Sequence, residues 1–247
     1  MFFLSSCGKP INDPERIISR TDVDMDSMRW DLSSFPISMK ISNNIDLRSQ
    51  TVAQAGLDEW ERAANIDFFS DLGTVPNLNF TKLSDYYYKD KYVNGIYLAQ
   101  GAVDDLQAPN LAVTQIIFYI NTDNPQKPYY QILHTDIVLN GHDYEFTSSP
   151  FDNGSYYLLT LILHEVGHVL GLGHQVEGIM YPSMSTLDKQ EILTTFDENL
   201  ILEKYDPITP PILRTNPLKS SNQYSDVSII RLYLPESKFS SSLFRKK

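Results

Sequence analysis

The sequence predicts an α+β domain, and three observations carry that expectation. Short stretches of alternating or β-branched residues, above all Val113–Ile120, read as strands. Three longer segments, about Leu47–Phe69, Tyr156–Leu170 and Thr194–Tyr205, have apolar residues at helical spacing. The middle one is apolar nearly all round, so it has to run through the centre of the domain.

Taken in order, Phe35-Pro36-Ile37-Ser38-Met39-Lys40-Ile41 alternates well enough for a first strand. The helix from about Leu47 to Phe69 buries Val52, Ala55, Leu57, Trp60, Ala63, Ala64 and Ile66 on one side. Asn77–Leu83 and Gly95–Ala99 read as strands. Asp85–Tyr92, with three consecutive tyrosines, reads as a loop with half-buried rings, the alternative being a rim that touches a ligand. Ile132–Asn140 is a further strand, and Asp152 or Ser155 can cap the helix after it. Thr194–Tyr205 is a capped helix with Phe196, Leu200, Ile201 and Tyr205 on its buried face. Beyond it Pro210-Pro211 closes off helix, and Val227–Leu234 can add one strand.

The chemistry is concentrated in His164-Glu165-Val166-Gly167-His168-Val169-Leu170-Gly171-Leu172-Gly173-His174. On a helix His164 and His168 are one turn apart on one face, close enough to share an ion at Zn–N distances of about 2.0–2.1 Å. His174 lies about 240° further round and cannot join them unless the chain turns back. Gly171 is where a left-handed residue would end the helix and allow that return. Three neutral imidazoles leave the fourth position of zinc open, the arrangement of a catalytic site. Glu165 neighbours His164 and can reach a water there without being a ligand. With this composition the pattern arises by chance about four times in a million such chains. Chance alignment of buried helix histidines is therefore set aside.

With Met180-Tyr181-Pro182 downstream, the stretch resembles the metzincin signature and its Met-turn. Within the metzincins it is similar to the matrixins, including their simpler bacterial members. That resemblance implies an α+β domain with a twisted mixed sheet, a central zinc-binding helix and a C-terminal helix after the Met-turn. It also implies zinc on His164, His168 and His174, Glu165 as general base, and Met180 as a floor beneath the metal. Ile132–Asn140 resembles the matrixin edge strand that pairs with an extended substrate; an internal strand is the plainer reading. Asp197 matches an acidic residue that braces the Met-turn. Gln175 and Met184 stand where matrixins usually have Ser and Tyr, which leaves the branch and the substrate preference open. Tyr181 follows Met180 directly, so no tyrosine ligand is expected. One zinc is expected, because His134 and His142 lie outside the motif in a context unlike a structural zinc site. Asp104-Asp105 and Asp123-Asn124 offer only part of the oxygen set calcium needs.

A net charge of −11 argues against nucleic acid as a partner and against electrostatic attachment to anionic membranes. One cysteine excludes an internal disulfide. Leu4-Ser5-Ser6-Cys7-Gly8 resembles a bacterial lipobox, which implies a start upstream, lipidation of Cys7 and a place in the cell envelope or outside the cell. Cys7-Gly8-Lys9-Pro10 also resembles the matrixin cysteine switch. The expected organisation is a truncated lipoprotein signal and tether over 1–28, a matrixin-like peptidase domain over 29–205, and a basic Pro/Ser-rich tail over 206–247. The expected function is a monomeric zinc endopeptidase acting on protein or peptide substrates. The alternative is a surface lipoprotein that binds or adheres and keeps its metal without hydrolysis.

Overall fold

Two long strands, β6 (Asn110–Asn121) and β7 (Tyr129–Asn140), form the centre of the sheet. Both are dominated by β-branched and aromatic residues, which pack well on a pleated surface. The computed structural model describes residues 18–70, 72–89, 93–124, 128–205 and 227–237. Around that pair lie β1 (Ile18–Ser19), β3 (Lys40–Ser42), β4 (Gly73–Val75), β5 (Gly95–Ala99) and β10 (Ser228–Pro235). Their order across the sheet is β1-β10-β6-β7-β5-β3-β4, with β2 (Met28–Arg29) also pairing β7. The β10–β6 and β6–β7 ladders are antiparallel and the others parallel, so the sheet is mixed. A separate parallel pair joins β8 (Phe146–Thr147) to β9 (Tyr156–Tyr157).

Alternation along the strands gives the sheet two covered faces. Ile96, Ala112 and Ile137 join the main core, which also takes in the helices α1 (Leu47–Ala64), α3 (Leu158–Val169) and α4 (Thr195–Tyr205). Their neighbours Tyr97, Val113 and Val138 face the other way and meet Leu83 and Tyr86 of α2 (Leu83–Lys89). Every residue of α3 is buried, as its apolar sequence requires. Trp60 of α1 donates its indole N–H to the Leu163 carbonyl at 2.9 Å, fixing the two helices against each other.

The local outcome departs from the sequence reading in several places. α1 stops at Ala64, because Asn65 is left-handed (φ 53°) and closes it; Phe68 and Phe69 bury themselves alongside Ile37 instead. The strand expected over Phe35–Ile41 is confined to β3, Lys40–Ser42. Asn77–Leu83 forms no strand, and the tyrosine segment begins as helix α2, since Leu83 and Tyr86 at helical spacing both bury against the sheet. No side chain caps α3; it starts from Tyr157, and Asp152 instead accepts from the Gly154 N–H in the turn before it. β7 is not an edge strand: β6 flanks it on one side and β5 and β2 pair with it as well. Finally, β1 and β10 extend the sheet beyond the 29–205 bounds on both sides, because the apolar residues Ile229, Ile230 and Leu234 are buried against it.

Candidate metal centre and cleft

Helix α3 presents His164 and His168 one turn apart and then ends abruptly. Gly171 has φ +85°, a conformation that favours glycine, and a Cβ there would lie 2.5 Å from the Met28 carbonyl oxygen. The Gly171 N–H donates to the His168 carbonyl at 2.8 Å and the Leu172 N–H to the Gly167 carbonyl at 2.9 Å. These are the two bonds of a Schellman stop. From Trp30 an indole N–H reaches the Val169 carbonyl, and the Tyr205 hydroxyl reaches the Leu170 carbonyl, both at 2.8 Å. The last carbonyls of α3 are thus satisfied from outside the helix, and the chain is free to double back to His174.

The return brings the three imidazoles together. His164, His168 and His174 offer ring nitrogens that all lie within 4.8 Å of one another. His164 Nδ1 is 2.7 Å from the Ile179 carbonyl and His168 Nδ1 is 2.8 Å from the Leu172 carbonyl. A carbonyl can only accept, so both Nδ1 atoms carry the proton and both Nε2 atoms keep a lone pair. His168 Nε2 lies 3.3 Å from His174 Nε2. Four ligands at Zn–N distances of about 2.0–2.1 Å stand about 3.3–3.4 Å apart in a tetrahedron. His164 Nε2 is buried with no hydrogen-bond partner among the described residues. Burial lowers the basicity of all three rings, His164 to about 3, which keeps them neutral as metal ligands must be. The residues present therefore fit zinc.

Glu165 is fully buried beside this group. Its Oε2 accepts a 2.5 Å bond from the Thr114 hydroxyl of β6, and its Oε1 has no partner among the described residues. Burial pushes the Glu165 carboxyl up to about 8, against the pull of the Thr114 hydroxyl. Met180 is fully buried and packs against Gly167, where a Cβ would displace its Sδ. Asp197 of α4 accepts the Ile179 N–H at 2.8 Å, and Ile179 is the residue whose carbonyl orients His164. Tyr181 and Pro182 are exposed at the rim. A cavity of about 410 Å³ opens beside His164, walled by Thr160, Ile179, Met184 and Leu234.

All three expected ligands meet, and Glu165, Gly171 and Met180 surround them. Tyr181 lines the cavity beside His164, and Pro182 is exposed next to it. Sequence reasoning missed Thr114, although Thr114-Gln115 interrupts an otherwise apolar strand and was a visible signal. It also missed Gly167. Among the described residues no second group of three His, Cys, Asp or Glu gathers as for a metal. His134 instead pairs with Asp136 at 2.8 Å inside the sheet, and Asp105 lies 3.9 Å from Arg231. Calcium is thus not supported by Asp104-Asp105 or Asp123-Asn124. Cys7 lies outside the described residues. No helix among the described residues is long and apolar enough to cross a membrane.

Comparison with known families gives a match to Matrixin (peptidase M10) over residues 118–206. That span runs from the end of β6 through α4 and contains every residue of the histidine group. No curated protein matches the chain. With the mixed sheet, the His-bearing helix and the family match agreeing, residues 118–206 are similar to the matrixin-like metzincins, and their three histidines could hold a metal.

Proposed function

We propose that this chain is a zinc-dependent endopeptidase that hydrolyses extended protein segments, with Glu165 as its general base. His164, His168 and His174 would hold the metal. When bound, zinc supplies Lewis-acid chemistry, polarising a carbonyl and making water a usable nucleophile near neutral pH. The observation that carries the reading is the state of Glu165, whose Oε1 is buried and unpartnered beside three converging imidazoles. A buried carboxyl oxygen without a partner costs stability and is tolerated where chemistry needs it. Oε2 is pinned by Thr114, which aims Oε1 at the reacting water. Glu165 takes a proton from that water and passes it to the leaving amine. The carbonyls of Ile179 and Leu172 keep two imidazoles in the tautomer that presents Nε2.

The test is substitution with metal analysis. Glu165→Gln is expected to keep zinc and lose kcat on an extended peptide by about 10²–10⁴-fold, whereas His168→Ala is expected to lose the metal as well. Glu165→Gln with undiminished turnover would refute the role. Envelope attachment through Cys7 is part of the same proposal and rests on the lipobox-like Leu4–Gly8 stretch alone. Intact-mass measurement of the protein from its native cells checks it, an unlipidated Cys7 being the contrary outcome.

A further inference from the structure

Beside the histidine group runs a groove with backbone on both sides. One wall is Pro109 and the start of β6; the other is the stretch after Met180, at Met184. The end of β10 lies between them and is bonded to each. The Glu236 N–H donates to the Pro109 carbonyl at 2.7 Å. The Met184 N–H donates to the Pro235 carbonyl at 3.1 Å, and the Ser237 N–H to the Met184 carbonyl at 2.8 Å. The segment runs antiparallel to β6 and parallel to the Met184 stretch. This is strand addition to a sheet edge, made here within one chain. Among the described residues β1 pairs only with β10, so without β10 the edge of β6 would be open.

The side chains alternate as those of a bound peptide would. Leu232 and Leu234 pair with Thr114 and Ala112 and join the core that holds α3, while Tyr233 packs on the opposite face. Leu232 is thus the cross-strand neighbour of the residue that pins Glu165. Leu234 is 1% exposed and fills one side of the cavity that His164 also lines.

We propose that residues 232–237 occupy the peptide-binding groove as a substrate would, with Leu234 as the side chain seated in the specificity cavity. The chain then holds its own groove closed to other peptides. The ligand class follows from this occupant: an extended peptide that offers a leucine-sized apolar side chain to the cavity and backbone groups to both walls. Only the consequence for turnover rests on the peptidase reading; occupancy of the groove does not.

The experiment separates the two. A fluorescent peptide with the sequence of residues 231–237 is titrated by anisotropy into zinc-loaded full-length chain carrying Glu165→Gln, so that it is not consumed. The comparison chains add E236P/S237P, or L234D. E236P/S237P removes both N–H donors that tie the segment's end to the walls, at half-exposed positions, and also the carboxylate that accepts from the Tyr156 hydroxyl, so melting curves first establish that both released chains are folded. Both released chains are expected to bind the peptide at least tenfold more tightly than the chain with its native segment, and a peptide with Asp in place of its second Leu is expected not to bind. Equal affinity in all three chains, or binding in none, overturns the proposal. In chains that keep Glu165, release is expected to raise kcat/KM on an extended peptide at least tenfold. Peptide binding by released chains that hydrolyse nothing would uphold the occupancy and sink the peptidase reading. Fast hydrolysis that is equal in all chains would do the reverse.

Discussion

Three of the four side chains proposed to react or to ligate, Glu165, His164 and His168, are held by groups that are themselves fixed by the fold. Thr114 holds Glu165, and Asp197 holds Ile179, which holds His164. Thr114→Val keeps the shape and deletes the hydroxyl, leaving Oε2 buried without a donor. The expected result is about 1–3 kcal/mol of lost stability with kcat down by about tenfold and zinc content unchanged, while Thr114→Ser restores turnover. Steady-state kinetics and thermal melts read both, and an unaltered kcat in Thr114→Val would show that the hydroxyl does not aim the base. Asp197→Ala orphans the Ile179 and Thr194 N–H groups, both of which donate to its carboxylate. Zinc affinity is expected to fall by about 10–100-fold, the usual effect of losing a group behind a ligand; a competitive zinc titration that shows no change would break the proposed link. The ligands themselves were legible in the sequence because their spacing is local to one helix and one turn. The role of Thr114 was not, although it interrupts an apolar strand, because its partner is 51 positions away and only the packing of α3 against β6 brings them together.

At the scale of elements, α1 is tied to the segment ahead of α4 through a charged side chain. Glu59 accepts from the Leu193 N–H at 2.7 Å and is bonded to Arg62, which also reaches Glu198 of α4 at 2.7 Å. The Arg62 guanidinium holds the Glu59 carboxyl below its usual range, burial opposing and the Leu193 N–H assisting. Because the folded pKa is the lower one, the unfolded chain binds more protons in that window. The contribution is therefore complete above the ordinary glutamate pKa of about 4.3 and disappears as pH falls through the folded value. Glu59→Gln is expected to cost about 1–2 kcal/mol at pH 7 and almost nothing at pH 3, so the melting curves of the two proteins converge in acid. A constant gap between them across that range would mean the charge is not what matters. Element types were legible where periodicity was long, as in α1, α3, β6 and β7. Ends were less so: a left-handed Asn65 cut α1 short, and Tyr156–Tyr157 paired as β9 before α3 began. The tyrosine segment failed as a strand-and-loop reading because its burial follows a helical spacing of only two contacts, Leu83 and Tyr86.

For the whole molecule the least legible feature was the sheet's closing strand. β10 sits in a stretch rich in Pro and Ser, and its place beside β6 depends on residues more than a hundred positions earlier. Its strand character was legible in Val227–Leu234, but no local pattern could supply that pairing, which is why the segment was grouped with the tail. The metal centre joins parts of the molecule in a similar way. It would bind α3 to the return segment at His174, and through Ile179 and Asp197 to α4. The strands β5, β6 and β7 make their ladders without any of these residues. Removing zinc with a chelator should therefore loosen one region rather than melt the domain evenly. At free zinc about a hundred times its dissociation constant, binding contributes about 2.7 kcal/mol. For a domain of this size that corresponds to roughly 5–10 °C in melting temperature. The expected outcome is a drop of that order on chelation, full recovery on adding zinc, and faster amide exchange confined to about residues 171–184 and the start of α4. The amides of β6 and β7 should keep their protection. Uniform loss of protection through the sheet would show instead that the metal supports the whole fold, and that the return loop after Gly171 is not held by it in particular.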